Sequence, residues 1–233
     1  MKKSLLIGAF TLALFLRGAC AQTPDSEPPV KEPLPPGPLI VTHMPAFAQW
    51  SIDFTYPPAA KPGQKDQAVG FPGQIRPIHI LVTKTGNITH EERIFEHDLK
   101  GEMWSNGDIA AERLPNSSAL NAGFGNGQAG NAFPDFDWIT KENYIGTKSH
   151  NQVKCMVFKQ PQYDFEGGFL GIATAYVDIK TRYPVEYQRN EASRIYIILA
   201  APPAQLVMPN DVLAAGKGMK DRLQKATPHL APP

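Results

Sequence analysis

The chain has 233 residues, 42% of them hydrophobic, and a formal net charge of +1. That is enough apolar material to bury one ordinary core. The near-neutral balance lacks the basic stripe and high isoelectric point that accompany nucleic-acid binding, so no nucleic-acid partner is expected.

Lys2 and Lys3 precede an apolar stretch from Leu5 to Leu16, and Ala19-Cys20-Ala21 follows. A positive segment, a short hydrophobic segment and a small-residue site make an export signal, so residues 1–21 are read as a signal peptide. The stretch is shorter than the roughly twenty apolar residues a bilayer span requires, and no later segment comes closer. The mature chain is expected to have no transmembrane span and to be periplasmic or secreted. Cys20 keeps an alternative open, because a lipoprotein signal also ends in a cysteine that becomes acylated, which would anchor the chain in the cell envelope. Arg17 stands where such a signal places leucine. Removing Lys2, Lys3 and Arg17 from the 23 basic residues leaves 20 against 22 acidic ones. Cys155 is then the remaining thiol, and one cysteine closes no internal disulfide.

Residues 22–46 carry eight prolines among Ser, Glu, Lys and Asp, the composition of an extended, disordered linker. The folded domain is expected over 47–213, and 214–233 as a weak helix and disordered tail. In Gln49 to Tyr56, Trp50, Ile52, Phe54 and Tyr56 alternate with Ser51, Asp53 and Thr55, which predicts a strand. Pro57-Pro58 stops it, and Ala59 to Gly73 reads as a loop. Ile75 to Thr83 predicts a second strand with Ile78, Ile80 and Val82 on one face, turned by Thr85-Gly86-Asn87 into Ile88 to Phe95. Asn106-Gly107 signals a hairpin with a type I′ turn inside Glu102 to Glu112.

Asn116 to Asn131 reads as a Gly-rich loop. It contains a formal G-x-G-x-x-G at Gly125 to Gly130, but no buried strand leads in and Phe133-Pro134 follows, so a nucleotide site is set aside. Val153 to Phe158 predicts a buried strand. Gly171 to Ile179, Pro184 to Gln188 and Arg194 to Leu199 then form a meander with tight corners, whose last run is apolar enough for a strand covered on both faces. Asn210 is placed to cap a helix towards Lys225, weakened by Gly216 and Gly218.

Residues with chemistry to offer mostly have plainer roles. His90-Glu91 fails the H-E-x-x-H zinc spacing, because Ile94 stands where the second histidine belongs. Asp135 and Asp137 could act as paired carboxylates, although acids beside a turn are usually only solvated. Cys155 lies between Val153 and Val157 on one strand face, a packing position rather than an electropositive site for a nucleophile. No serine stands in a G-x-S-x-G elbow. No cofactor, metal or catalytic residue is expected.

What remains is aromatic and aliphatic surface on an antiparallel sheet. The candidates for binding a hydrophobic ligand are Trp50, Phe54, Trp104, Trp138, Met156, Phe158, Tyr176 and Tyr196. Phe136 to Gly146, Val153 to Phe158 and Ala175-Tyr-Val-Asp-Ile-Lys-Thr-Arg-Tyr-Pro-Val185 resemble exported proteins of the LolA type, the carriers and sorting factors of outer-membrane lipoproteins. The resemblance spans about Trp50 to Val212. It implies a mainly β fold, a curved antiparallel sheet or incomplete β-barrel with few short helices, holding acyl chains. The chain departs from that pattern in having few convincing helices. The expected function is a non-catalytic binding or carrier module for a lipid, acyl chain or other hydrophobic ligand. The alternative is an envelope scaffold that binds a protein partner without a small ligand, and a dispersed hydrolase ranks last.

Overall fold

The computed structural model describes residues 27–57, 75–124, 131–202 and 204–226. The signal peptide, the Ala59 to Gly73 loop, the G-x-G-x-x-G stretch and the last seven residues lie outside them. Among the described residues eleven strands run in chain order: β1 Phe47–Thr55, β2 Pro77–Thr85, β3 Ile88–Phe95, β4 Lys100–Ser105, β5 Ile109–Arg113 and β6 Leu120–Phe124, then β7 Tyr144–His150, β8 Val153–Tyr163, β9 Phe169–Asp178, β10 Pro184–Arg189 and β11 Ala192–Leu199. The α-helix α1 covers Asn210–Ala226. The strands form a single antiparallel sheet in the order β6-β5-β4-β3-β2-β1-β11-β10-β9-β8-β7. Two meanders are therefore joined by the pairing of β1 with β11, and β6 and β7 remain as open edges. This is the mainly β, incompletely closed antiparallel sheet that the LolA-type resemblance implies. Among the described residues no helix is long and apolar enough to cross a membrane.

Directly opposed residues of an antiparallel pair share a face, so the register sorts the side chains. Trp50 opposes Val82 and Ile198, and Ile52 opposes Ile80 and Tyr196. These residues, with Met156, Phe158, Ala175 and Val177, build the main core on what we call the Trp50 face. Phe133 and Phe136 close it from a short 3-10 turn at Pro134–Phe136, and both are fully or almost fully buried. Trp50, Tyr183 and Tyr196 meet Phe133 edge-on, as Tyr187 and Tyr196 meet Phe136, the arrangement aromatic quadrupoles favour.

The expected disordered linker differs from what is found. Its described part lies across the sheet: Leu34, Leu39 and Ile40 pack against the core and Met44 is buried within it. Val30 bridges to Thr147 by two backbone hydrogen bonds of 2.8 and 2.9 Å, and Val41 N–H donates to Arg182 O. Gly146 is required there, since it has φ +140° and a Cβ would run into the Val30 carbonyl. Prolines keep such a strap extended at little entropic cost, and the apolar residues between them find the sheet.

Four further expectations are corrected. Leu120–Phe124, read as loop, is an edge strand paired with β5. Asn106-Gly107 does not make a two-residue type I′ turn. The loop has three residues, Asn106 to Asp108, and Asn106 Oδ1 accepts from the N–H groups of Asp108 and Ile109. The last strand is not covered on both faces, because Ile195 and Ile197 are only half-buried on the side away from the core. Gly216, expected to weaken α1, is what lets it seat: a Cβ there would collide with the Ile109 side chain of β5.

Candidate functional site

The face opposite the core, which we call the Leu81 face, carries Ser51 and Asp53 of β1, His79 and Leu81 of β2, and Ile195 and Ile197 of β11. The register continues it to Glu92 and Glu102 and then Arg113 on one side, and to Glu186 and Tyr176 on the other. Among the described residues no segment packs over its middle as the 133–139 segment packs over the core.

Two cavities sit side by side on this face. The first, about 640 Å³, has Leu81, Ile94 and Leu114 as its aliphatic lining, with His79, His90, Glu102 and Arg113 around them. The second, about 820 Å³, is lined by Val153, Val185, Ile195 and Ile197, with Asp53, Asp178 and Asn151 at its rim. They meet at a cross-strand pair, for His79 lines one, Asp53 lines the other, and His79 Nδ1 lies 2.5 Å from Asp53 Oδ1. From β5 to β10 the trough crosses seven neighbouring strands, about 29 Å along the sheet at the usual interstrand spacing.

The polar groups of the trough largely satisfy one another. Glu102 accepts hydrogen bonds from Trp104 Nε1 at 3.1 Å and from Arg113, and lies 3.2 Å from His90 Nε2. Arg113 also donates to Asp211 of α1 at 2.7 Å, which fastens the helix beside the first cavity. Met208 and Val212 pack there against Trp104 and Ala111. Beside the second cavity Cys155, Val157 and Tyr176 form a small cluster with Val153 and Val185. Burial, with Asp178 and Glu186 nearby, pushes the Cys155 thiol up to about 12, so it stays protonated and inert.

The eight aromatic and aliphatic candidates are divided between the two faces. Trp50, Met156, Phe158 and Tyr196 are in the main core and Trp138 packs against it, their surface taken up by Phe133 and Phe136. Phe54 stacks on Tyr56 and lies under the Arg194 guanidinium. Trp104 and Tyr176 are on the trough face, each stacked on a histidine, His90 at 3.9 Å and His150 at 3.7 Å. Asp135 and Asp137 do not act together: Asp135 accepts from Arg194 and from Tyr196 Oη, and Asp137 from Asn131. Among the described residues no group of three or more His, Cys, Asp or Glu is placed to hold a metal ion. The half-buried Leu81, Ile195 and Ile197, which floor the trough, were not singled out by sequence. Their one available signal is alternation with Ile80, Val82, Tyr196 and Ile198.

An open antiparallel half-barrel with an aliphatic trough on one face is the class of protein this fold defines, and the chain resembles the LolA-type proteins. No family model matches it, and no curated protein does. Solved structures do match, among them the lipoprotein LppX of Mycobacterium tuberculosis, at 8% identity over 70% of this chain and 90% of that one, with a TM-score of 0.39. An outer membrane lipoprotein-sorting protein domain from Vibrio parahaemolyticus is 10% identical over 74% and 92%, with a TM-score of 0.33. A LolA superfamily protein from Nitrosomonas europaea is 8% identical over 73% and 91%, with a TM-score of 0.29. Superpositions this loose carry no argument about ligands, which rests on the trough itself.

Proposed function

We propose that the chain is an exported envelope protein that carries a lipid or another acyl-chain ligand along the Leu81-face trough, without catalysis. The observation that carries this reading is the line of half-buried aliphatics, Leu81, Ile195, Ile197 and Val185, across an open sheet face. Each cavity has the size of a small-molecule site, about 300 to 1,000 Å³, and binding sites of that kind are mostly apolar with a few oriented polar groups. An acyl chain gains about 0.8 kcal/mol per CH₂ buried, so such a trough needs no catalytic group to hold one. The leader supports export to the periplasm or beyond, with acylation at Cys20 as the lipid-anchored alternative. In this organisation residues 1–21 direct export, residues 27–46 of the proline-rich segment strap the sheet, and 47–213 with the helix that follows form the binding domain. Of the eight sequence candidates, Trp104 and Tyr176 flank the trough, while the others build its support.

Native mass spectrometry of the processed protein, purified gently from its own envelope fraction, tests this. Extra mass that is lost on denaturation, and that is absent from an Ile197→Lys variant of unchanged melting temperature, is the expected result. A bare chain of the expected mass, in both proteins, would shift the reading to the envelope scaffold.

A further inference from the structure

The β8–β9 hairpin extends beyond the rest of the sheet. β7 leaves β8 at Phe158, and β10 leaves β9 at Ala173, so from Gln160 to Ile172 the hairpin is two strands wide. On this tip Pro161 opposes Ile172 and Tyr163 opposes Phe169. Phe165 at the apex is 97% exposed, Phe169 63% and Tyr163 58%, and Leu170 and Ile172 are exposed with them. Single exposed apolar residues are ordinary, but five together on one protrusion mark a contact surface.

The tip is rigid. Asp164 N–H donates to Gly168 O at 2.9 Å, and the Asp164 carboxylate accepts from the N–H groups of Glu166 and Gly168. Asn190 of the β10–β11 turn donates to Leu170 O, and Asn143 donates to Gln160, so the base is braced from both sides. A turn already ordered in this way loses little backbone freedom when it binds.

We propose that this hairpin is a membrane-docking device that inserts its aromatic tip into the interface of a lipid bilayer. Two arguments favour lipid over a protein partner. The five side chains offer roughly 600 Å² at most, short of the about 800 Å² per partner of a standard protein interface, whereas a bilayer sets no such threshold. The reach also fits: the two-stranded part from Gln160 to Tyr163 spans about 10 Å, the depth at which interfacial segments lie, about 5 to 10 Å. Tyr and Phe are side chains that settle at that level. Lys159 and Arg189 at the base balance Asp164 and Glu166 at the tip, so the attraction is apolar and does not depend on anionic headgroups. This inference does not rest on the trough.

The test is flotation with phosphatidylcholine vesicles, using the exported full chain carrying Cys20→Ser so that no acyl anchor contributes. The parent protein is expected to float, and the Phe165→Ser, Phe169→Ser double variant to lose about tenfold or more of its partitioning, as removal of two buried aromatics implies. Raising salt from about 0.1 to about 0.5 M should change binding less than about twofold. Both substituted residues are exposed, and only the edge-on contact of Phe169 with Tyr163 is lost, so melting should change little, and a Phe165→Trp variant should shift its emission to the blue on adding vesicles. A parent protein that stays in solution, or a double variant that floats equally well, overturns the proposal. So does a Phe165-dependent dimer that ignores vesicles, which would assign the tip to a protein contact.

Discussion

His79 Nδ1 lies 2.5 Å from Asp53 Oδ1 across the β1–β2 pair, and the two side chains stand where the two cavities of the trough meet. Both are about a third or more exposed, so the pair contributes little to stability, under about 1 kcal/mol. Its importance lies in its position, since a ligand spanning both cavities must pass over it. His79→Leu is expected to leave the melting temperature nearly unchanged. It should tighten binding of a fluorescent fatty acid about fourfold, the gain from covering roughly one further CH₂ at about 0.8 kcal/mol. Unchanged affinity would separate the cavities into two independent pockets.

Trp50 belongs to the other face. It is buried, and its ring meets Phe133 edge-on at 6.0 Å between centroids. Trp50→Ala is therefore expected to cost about 3 to 5 kcal/mol, measured by urea unfolding. A loss below about 1 kcal/mol, combined with impaired fatty-acid uptake, would place Trp50 in a ligand cavity instead of the core.

The strands were readable wherever one face is core and the other is wet, because Trp50, Ile52 and Phe54 then alternate with polar neighbours. Alternation fails at the edges. The middle of Leu120–Phe124 and the second half of Tyr144–His150 carry small and polar residues, and what makes them strands is the free edge of β5 or β8 rather than their own pattern. Composition also hid the strap, since eight prolines outweigh Leu34, Leu39, Ile40 and Met44 in any average, although each of these four meets the core. The trough was the hardest part to see. In Arg194-Ile-Tyr-Ile-Ile-Leu199 a continuous apolar run looks the same whether one face or both are covered, so Ile195 and Ile197 could not be told from Tyr196 and Ile198.

A carboxylate ties the segment that closes the core to β11. Asp135 accepts from Arg194 and, at 2.6 Å, from Tyr196 Oη, while Arg194 lies over the Phe54 and Tyr187 rings. Burial and the adjacent Asp135 raise the Tyr196 hydroxyl far above the ordinary tyrosine range, so it remains a donor. Asp135→Ala leaves that buried hydroxyl without its acceptor, at a cost of about 1 to 3 kcal/mol. The near-UV circular dichroism of the aromatic cluster should weaken with it. An unchanged spectrum and stability would mean that Phe133 and Phe136 hold the segment by packing alone.

Glu186 gives the fold a pH dependence. It lies 2.6 Å from His150 Nε2, and both side chains are less than a tenth exposed. Burial opposes its ionisation, but hydrogen bonds involving His150, Gln188 and Asn151 outweigh that and hold the carboxyl below its ordinary value. A carboxylate depressed in the folded state contributes stability that is complete above its unfolded pKa, about 4.3, and that disappears as pH falls through the lower folded value. Glu186→Gln removes one partner of a buried pair, so it should cost about 3 kcal/mol at neutral pH. Between about pH 5 and pH 3 its stability should fall less steeply than that of the parent chain, because the lost carboxylate no longer takes up a proton on unfolding. Urea unfolding of both proteins across that range reads the difference directly. Parallel curves would show that His150 and Glu186 are held by the cluster around them and contribute nothing to acid sensitivity.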